Sequence, residues 1–247
     1  MNDRTLTNLG DNHQDLFSGN CSLQANQLLY SESAPLISSA IRRKLPDKEP
    51  RYIFADFGSN KGSLLHSVLQ HLPDYHFQTV AIDIPENLID NTNANVVVAA
   101  DISEYIPMAD STADIGMMRY VLSWNNFEKQ PAILNEITRV MKGFIVLQHG
   151  GADDNDPDAW RRNMDIALNG SIPKIKRTGH FFASRGEIEE WMKASHIKFE
   201  CILSRRIKSV SDVFIERTPL DTEESEMLRD ILDDKDYIIQ TTWIISK

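Results

Sequence analysis

The chain has 247 residues, 41% of them hydrophobic and 25% charged, which is enough apolar material for a core and excludes disorder as its main state. Its formal net charge of −10 makes the overall field repel phosphate backbones and argues against a nucleic-acid partner. Cys21 and Cys201 stand alone in sequence, so neither a metal-ligand spacing nor a disulfide framework is expected.

Residues 1–20 are polar and contain no apolar signal core, and no apolar run approaches the roughly 20 residues of a membrane span. A cytoplasmic protein with no membrane partner is the expectation. From Leu23 to Leu45 apolar residues recur at helix spacing (Leu28, Leu29, Ile37, Ile41), and Pro35 is expected to divide the stretch into two pieces. The basic runs Arg42-Arg43-Lys44, Lys174-Ile175-Lys176-Arg177 and Arg205-Arg206 read as solvated faces.

After residue 50 apolar runs alternate with amphipathic helices. Tyr52–Ala55, Phe77–Ile82 and Asn95–Ala100 predict three buried strands, each closed by an aspartate: Asp56, Asp83 and Asp101. Ala113–Val121 predicts a fourth strand and Phe144–Leu147 a fifth, with a helix between them showing Ile133, Leu134, Ile137 and Val140 on one face. Ser184 and Glu187 have capping-box spacing before another helix. Phe199–Ile207 and Tyr237–Ile245 predict two late strands around a helix carrying Met227, Leu228 and Ile231. The expected fold class is α/β: a doubly wound, mostly parallel seven-stranded sheet with an antiparallel C-terminal edge strand.

The segment Asp56-Phe57-Gly58-Ser59-Asn60-Lys61-Gly62 lies between a strand and a helix, where small residues let backbone approach a ligand at the carboxyl edge of a sheet. A Gly-x-x-x-Gly turn alone is weak evidence. Three strand-end carboxylates behind it fit a nucleoside better than chance turn-forming does: Asp83 can accept both ribose hydroxyls, and Asp101 can reach an adenine amino group. Gly58 and Gly62 lack the G-x-G-x-x-G spacing of a dinucleotide fingerprint, and Asp56 would repel a pyrophosphate while suiting a cationic amino-acid moiety.

These segments resemble the class I S-adenosylmethionine-dependent methyltransferases, especially those acting on small molecules. ADFGSNKG is similar to that family's first motif, AIDIP to its ribose-binding strand end and AADI to its adenine-contacting segment. ADIGMMRYVLSWNN with ILNEITRVMK, and TGHFFASRGEIEEWMKASHIKFE, are similar to its fourth strand and following helix and to its late helix-to-strand stretch. The resemblance implies a Rossmann-like fold with S-adenosyl-L-methionine as cofactor. Asp56, Gly58, Ser59 and Gly62 would line the methionine end, Asp83 and Ile84 the ribose, and Asp101 and Ile102 the adenine. Arg119 and Tyr120 would lie beside the sulfonium, and Tyr30 and Ser31 in a lid. It further implies a tail and helical cap over residues 1–50, and a cofactor-binding domain over 51–247 with an acceptor-site insertion around 152–182. Two departures stand out: Asn60 replaces a middle glycine, and Ser123 stands where plant-type O-methyltransferases carry a catalytic histidine.

Methyl transfer needs an aligned acceptor, excluded water and, for a hydroxyl acceptor, a base. His149, just past the fifth strand, is the first candidate and His180 the second; the bland reading of either is a hydrogen-bonding or surface histidine. The other five histidines read as surface or helix-end residues. Trp124, Phe127, Trp160, Phe181 and Phe182 can wall an apolar acceptor site, though each is individually more often core. The expected partner is a small-molecule acceptor, on a monomer or homodimer. Competing readings are a cyclase, decarboxylase or binding protein on the same scaffold, an NAD(P)-dependent oxidoreductase, or methylation of RNA or protein.

Overall fold

The computed structural model describes residues 23–45, 51–88, 93–169, 181–208, 220–232 and 237–247, and within these the side chains of 23–31, 167–169 and 208 are not described. The elements are α1 (Leu23–Lys44), β1 (Arg51–Phe57), α2 (Ser63–Gln70), β2 (His76–Asp83), α3 (Pro85–Leu88), β3 (Val96–Ala99), β4 (Ala113–Arg119), α4 (Gln130–Val140), β5 (Met141–Gly151), α5 (Pro157–Asn169), α6 (Arg185–Ala194), β6 (Lys198–Lys208), α7 (Thr222–Leu232) and β7 (Tyr237–Ser246). Among the described residues no helix is long and apolar enough to cross a membrane.

One seven-stranded sheet has the order β3-β2-β1-β4-β5-β7-β6. The first five strands pair in parallel; β3, expected to be buried, is instead the exposed edge strand, with Val96 and Val97 open to solvent because only β2 flanks it. The antiparallel strand is β7, which pairs with β5 on one side and β6 on the other, leaving β6 outermost. Strand order reverses between β1 and β4, which places a topological switch point at their carboxyl ends.

Successive strand side chains alternate between faces, and the two cores separate accordingly. Phe54, Ile115, Met117 and Val146 pack with Ile37 and Ile41 of α1 and Leu65 and Val68 of α2. Ala55, Phe57, Met118 and Leu147 pack on the other face with Ile133 and Ile137 of α4 and Ile188 and Met192 of α6. A third cluster joins α5 and α7: Trp160, Met164, Leu228, Leu232 and Tyr237. The capping box of α6 is formed, with Ser184 Oγ accepting from Glu187 N and the Glu187 carboxylate accepting from Ser184 N.

Pro35 does not divide the first helix: α1 runs unbroken with Pro35 inside it. The missing N–H is a local cost, whereas Ala34, Ile37, Ala40 and Ile41 are all buried and anchor the helix against the sheet on both sides of the proline. Pro35 itself faces solvent, where a loosened carbonyl can bond water. Packing outweighs propensity here.

Candidate functional site

The carboxyl ends of β2, β1, β4 and β5 present Asp83, Asp56, Arg119 and Gln148, and the antiparallel β7 sets Thr242 beside Gln148. Strand pairing and alternation put all five on the face covered by α1 and α2, since Val80, Ile82, Phe57, Met118 and Leu147 occupy the opposite core.

The turn after β1 closes on β2: Gly58 N and Ser59 N both donate to Ile82 O, at 2.8 and 3.2 Å. Gly58 has φ 72° and Gly62 φ 73°, and Asn60 adopts φ 46°, a left-handed conformation that asparagine tolerates better than most residues. Asn60 N donates to Asp83 Oδ2, and Ile84 N and Asn87 Nδ2 donate to Asp83 Oδ1, all at 2.8 Å. The β1 turn and the end of β2 are thus tied through one carboxylate. At Gly58 the space a side chain would need is taken by protein, because a Cβ there would lie 2.3 Å from Val121 Cγ2.

Asp56 is 4% exposed, and its Oδ2 has no hydrogen-bond partner. Burial, and then the charge of Asp83, hold its carboxyl well above the usual carboxylate range. A buried, unpartnered carboxyl oxygen two residues before the glycine turn fits a ligand that brings a positive charge, as the ammonium of S-adenosylmethionine does.

Arg119 Nε donates to Gln148 Oε1 at 3.1 Å, and its guanidinium lies 4.3 Å from the Tyr120 ring centroid. Tyr120 has φ 56°, an uncommon conformation for a bulky residue. It is held there by Tyr120 N donating to Gln148 O (2.9 Å) and by Gln240 Nε2 donating to its hydroxyl (2.6 Å). Ser33 Oγ of α1 donates to Gln148 Oε1 (2.8 Å), and Gln148 Nε2 to Thr242 Oγ1 (3.2 Å). Sequence reasoning missed this layer of Ser33, Gln148, Gln240 and Thr242. The available signal was the glutamines and threonines interrupting otherwise apolar strands.

Other predicted residues have local duties. Asp101 is exposed, and its Oδ1 accepts from Ser103 N at 2.8 Å, a turn cap. The Ile102 side chain is buried in the α4-side core. Tyr30 and Ser31 lie in α1, but their side chains are outside the described residues, as are His180, residues 1–22 and Lys174–Arg177.

His149 is 2% exposed; its Nε2 bonds to Ala183 O at 3.1 Å, and Nδ1 has no partner. Burial, opposed by that bond, pushes its imidazole down to about 4. By strand alternation it faces the α4/α6 side, so the structure does not bring it together with Asp56 and Asp83. His66, His71, His76 and His196 are exposed.

Trp160 and Phe182 belong to the third core cluster, with rings edge to face at 5.1 Å and Trp160 Nε1 donating to Tyr237 O at 2.8 Å. Phe127 and Phe181 form a half-buried edge-to-face pair at 5.9 Å.

A family model described as "Methyltransferase domain" matches residues 55–145. No curated protein sequence matches the chain. Among solved structures, the YcgJ protein from Bacillus subtilis is 14% identical, with a TM-score of 0.63, covering 88% of this chain and 99% of its own. A geranyl diphosphate methyltransferase in complex with S-adenosylmethionine is 12% identical, with a TM-score of 0.61 over 87% of this chain and 84% of its own. A loganic acid methyltransferase with S-adenosylhomocysteine is 11% identical, with a TM-score of 0.58 over 89% and 93%. Residues 55–145 therefore match a methyltransferase domain, and the chain shares the fold of these methyltransferase structures.

Proposed function

We propose that this chain transfers the methyl group of S-adenosylmethionine to a small-molecule acceptor. The observation that carries the reading is the placement of Asp56, at the strand-order reversal, and Asp83, on the neighbouring strand, on one sheet face inside the segment matching a methyltransferase domain. The kinship in fold with geranyl diphosphate and loganic acid methyltransferases supports a small acceptor, and the net charge of −10 disfavours RNA.

When bound, the cofactor supplies a methyl group already activated by a sulfonium; the chain positions it. Asp83, oriented by three donors, accepts the ribose hydroxyls beside Ile84, and Asp56 meets the ammonium group. The Gly58–Gly62 turn, with Ser59, lies along the methionine end, and the segment at Asp101 and Ile102 borders the adenine through its backbone. Arg119 and Tyr120 stand next to the reacting centre, where rigidly held groups align reactants. α1 acts as the cap, fastened by Ser33 to Gln148, and residues 152–182 contribute to acceptor choice.

His149 serves as a buried support in this reading. A neutral imidazole pushed down to about 4 is a weak base at neutral pH, and an acceptor bringing its own lone pair needs none. The test is S-adenosylhomocysteine release, by mass spectrometry, from the full chain with S-adenosylmethionine and panels of small carboxylates, phenols and amines, RNA and peptides. Product with small acceptors alone is expected. Bound cofactor without product from any panel would make the chain a non-methylating member of the fold.

A further inference from the structure

Asp56 and Asp83 are neighbouring carboxyls with opposite surroundings. Asp83 collects three hydrogen bonds from Asn60 N, Ile84 N and Asn87 Nδ2, which favour its charged form. Asp56 is buried with no donor on Oδ2, and a second carboxylate beside it makes ionisation costlier still.

The other charged groups around it are engaged or exposed. From β4, Arg119 lies on the same face, with Nε on Gln148 and its plane over Tyr120. Lys61 in the turn is exposed. His66 of α2 is exposed and bonded to Gln70, and Glu32 of α1 is exposed and paired with Arg205.

We propose that the Asp56 carboxyl carries a proton in the empty protein and releases it to solvent when the cationic ammonium end of the cofactor binds, so that binding and proton release are one event. This rests on the cofactor reading above. The O–H bond of the acid breaks, its electron pair stays on the carboxylate, and the proton leaves to water. The carboxylate formed then pairs with the ammonium, which keeps its own protons. Affinity therefore rises with pH, up to about tenfold per pH unit, until Asp56 is ionised in the empty protein as well. A ligand lacking the ammonium releases nothing.

The experiment is calorimetric titration of the full chain with S-adenosylhomocysteine in paired buffers of different ionisation enthalpy, between about pH 5 and 8. The expected result is release approaching one proton at the acid end and declining as pH rises. Asp56→Asn is expected to bind without buffer dependence, and 5′-methylthioadenosine, which has no amino-acid end, to release no proton from the unaltered chain. Should the variant fail to fold, the 5′-methylthioadenosine comparison decides alone. Heat that is independent of buffer at every pH, or equal release with both ligands, overturns the linkage and leaves the cofactor reading standing. No binding of S-adenosylhomocysteine to the folded chain overturns both.

Discussion

Replacing Gly58 by alanine tests the turn on which the site is built. The new methyl group would lie 2.3 Å from Val121 Cγ2 and 3.3 Å from Cγ1, on backbone at φ 72°. A left-handed non-glycine residue costs about 1–2 kcal/mol, and forcing a methyl group into packed side chains about 1–3 kcal/mol. Near the middle of that sum, about 3 kcal/mol, a domain of this size loses roughly 6–12 °C in Tm. The two contributions separate in a double-mutant cycle: Val121→Ala removes the clash but not the backbone strain. Gly58→Ala should therefore cost about 1–2 kcal/mol less in the Val121→Ala background. Urea unfolding followed by circular dichroism measures all four proteins. A Gly58→Ala protein within about 0.5 kcal/mol of the parent, or strictly additive effects, would refute the reasoning.

Asp83→Ala should weaken S-adenosylhomocysteine binding at least about tenfold, or roughly 1.4 kcal/mol, in calorimetric titration; unchanged affinity would remove Asp83 from the ribose site. His149 carries a folded-state value near 4 against 6.5 ordinarily, so the unfolded chain protonates first. Its stabilising contribution is present above about pH 6.5 and lost as pH falls toward 4, a loss on the order of 3 kcal/mol. His149→Gln should flatten that part of the stability profile, and an unchanged slope counts against the assignment. Trp160→Ala should cost about 3–5 kcal/mol, measured by urea unfolding, because a fully buried indole is removed. A Trp160→Ala chain that stays stable but loses acceptor turnover would move Trp160 from the core to the acceptor wall.

The parallel half of the sheet was legible because central strands buried on both faces are apolar nearly from end to end, and Asp56 and Asp83 mark where two of them stop; the apolar run of β3 gave the strand but not its exposure, which follows from its place at the sheet edge. The glycine turn and the left-handed Asn60 followed from residue type. What lay beyond reach was decided by tertiary partners. Whether Pro35 breaks a helix depends on what Ile37 and Ile41 pack against. The inward position of β7 depends on pairing partners far apart in sequence. Asp83 is the last residue of β2, whereas Asp101 lies two residues past the end of β3, and its described bond caps a local turn. His149 was placed at the correct edge, but one residue of register separates it from Gln148 and sends it to the other side of the sheet.

The inward position of β7 carries a consequence for assembly. Tyr237–Ser246 is the last strand in sequence, yet it fills a slot between two strands made before it. While the chain emerges during synthesis, β5 and β6 each keep a raw flank of unpaired amides and carbonyls, the kind of flank that recruits strands from other molecules. Completion waits on a late zipping step at long sequence separation, which is slow by nature. Shortening the chain by that one strand would split the sheet from within rather than trim its border.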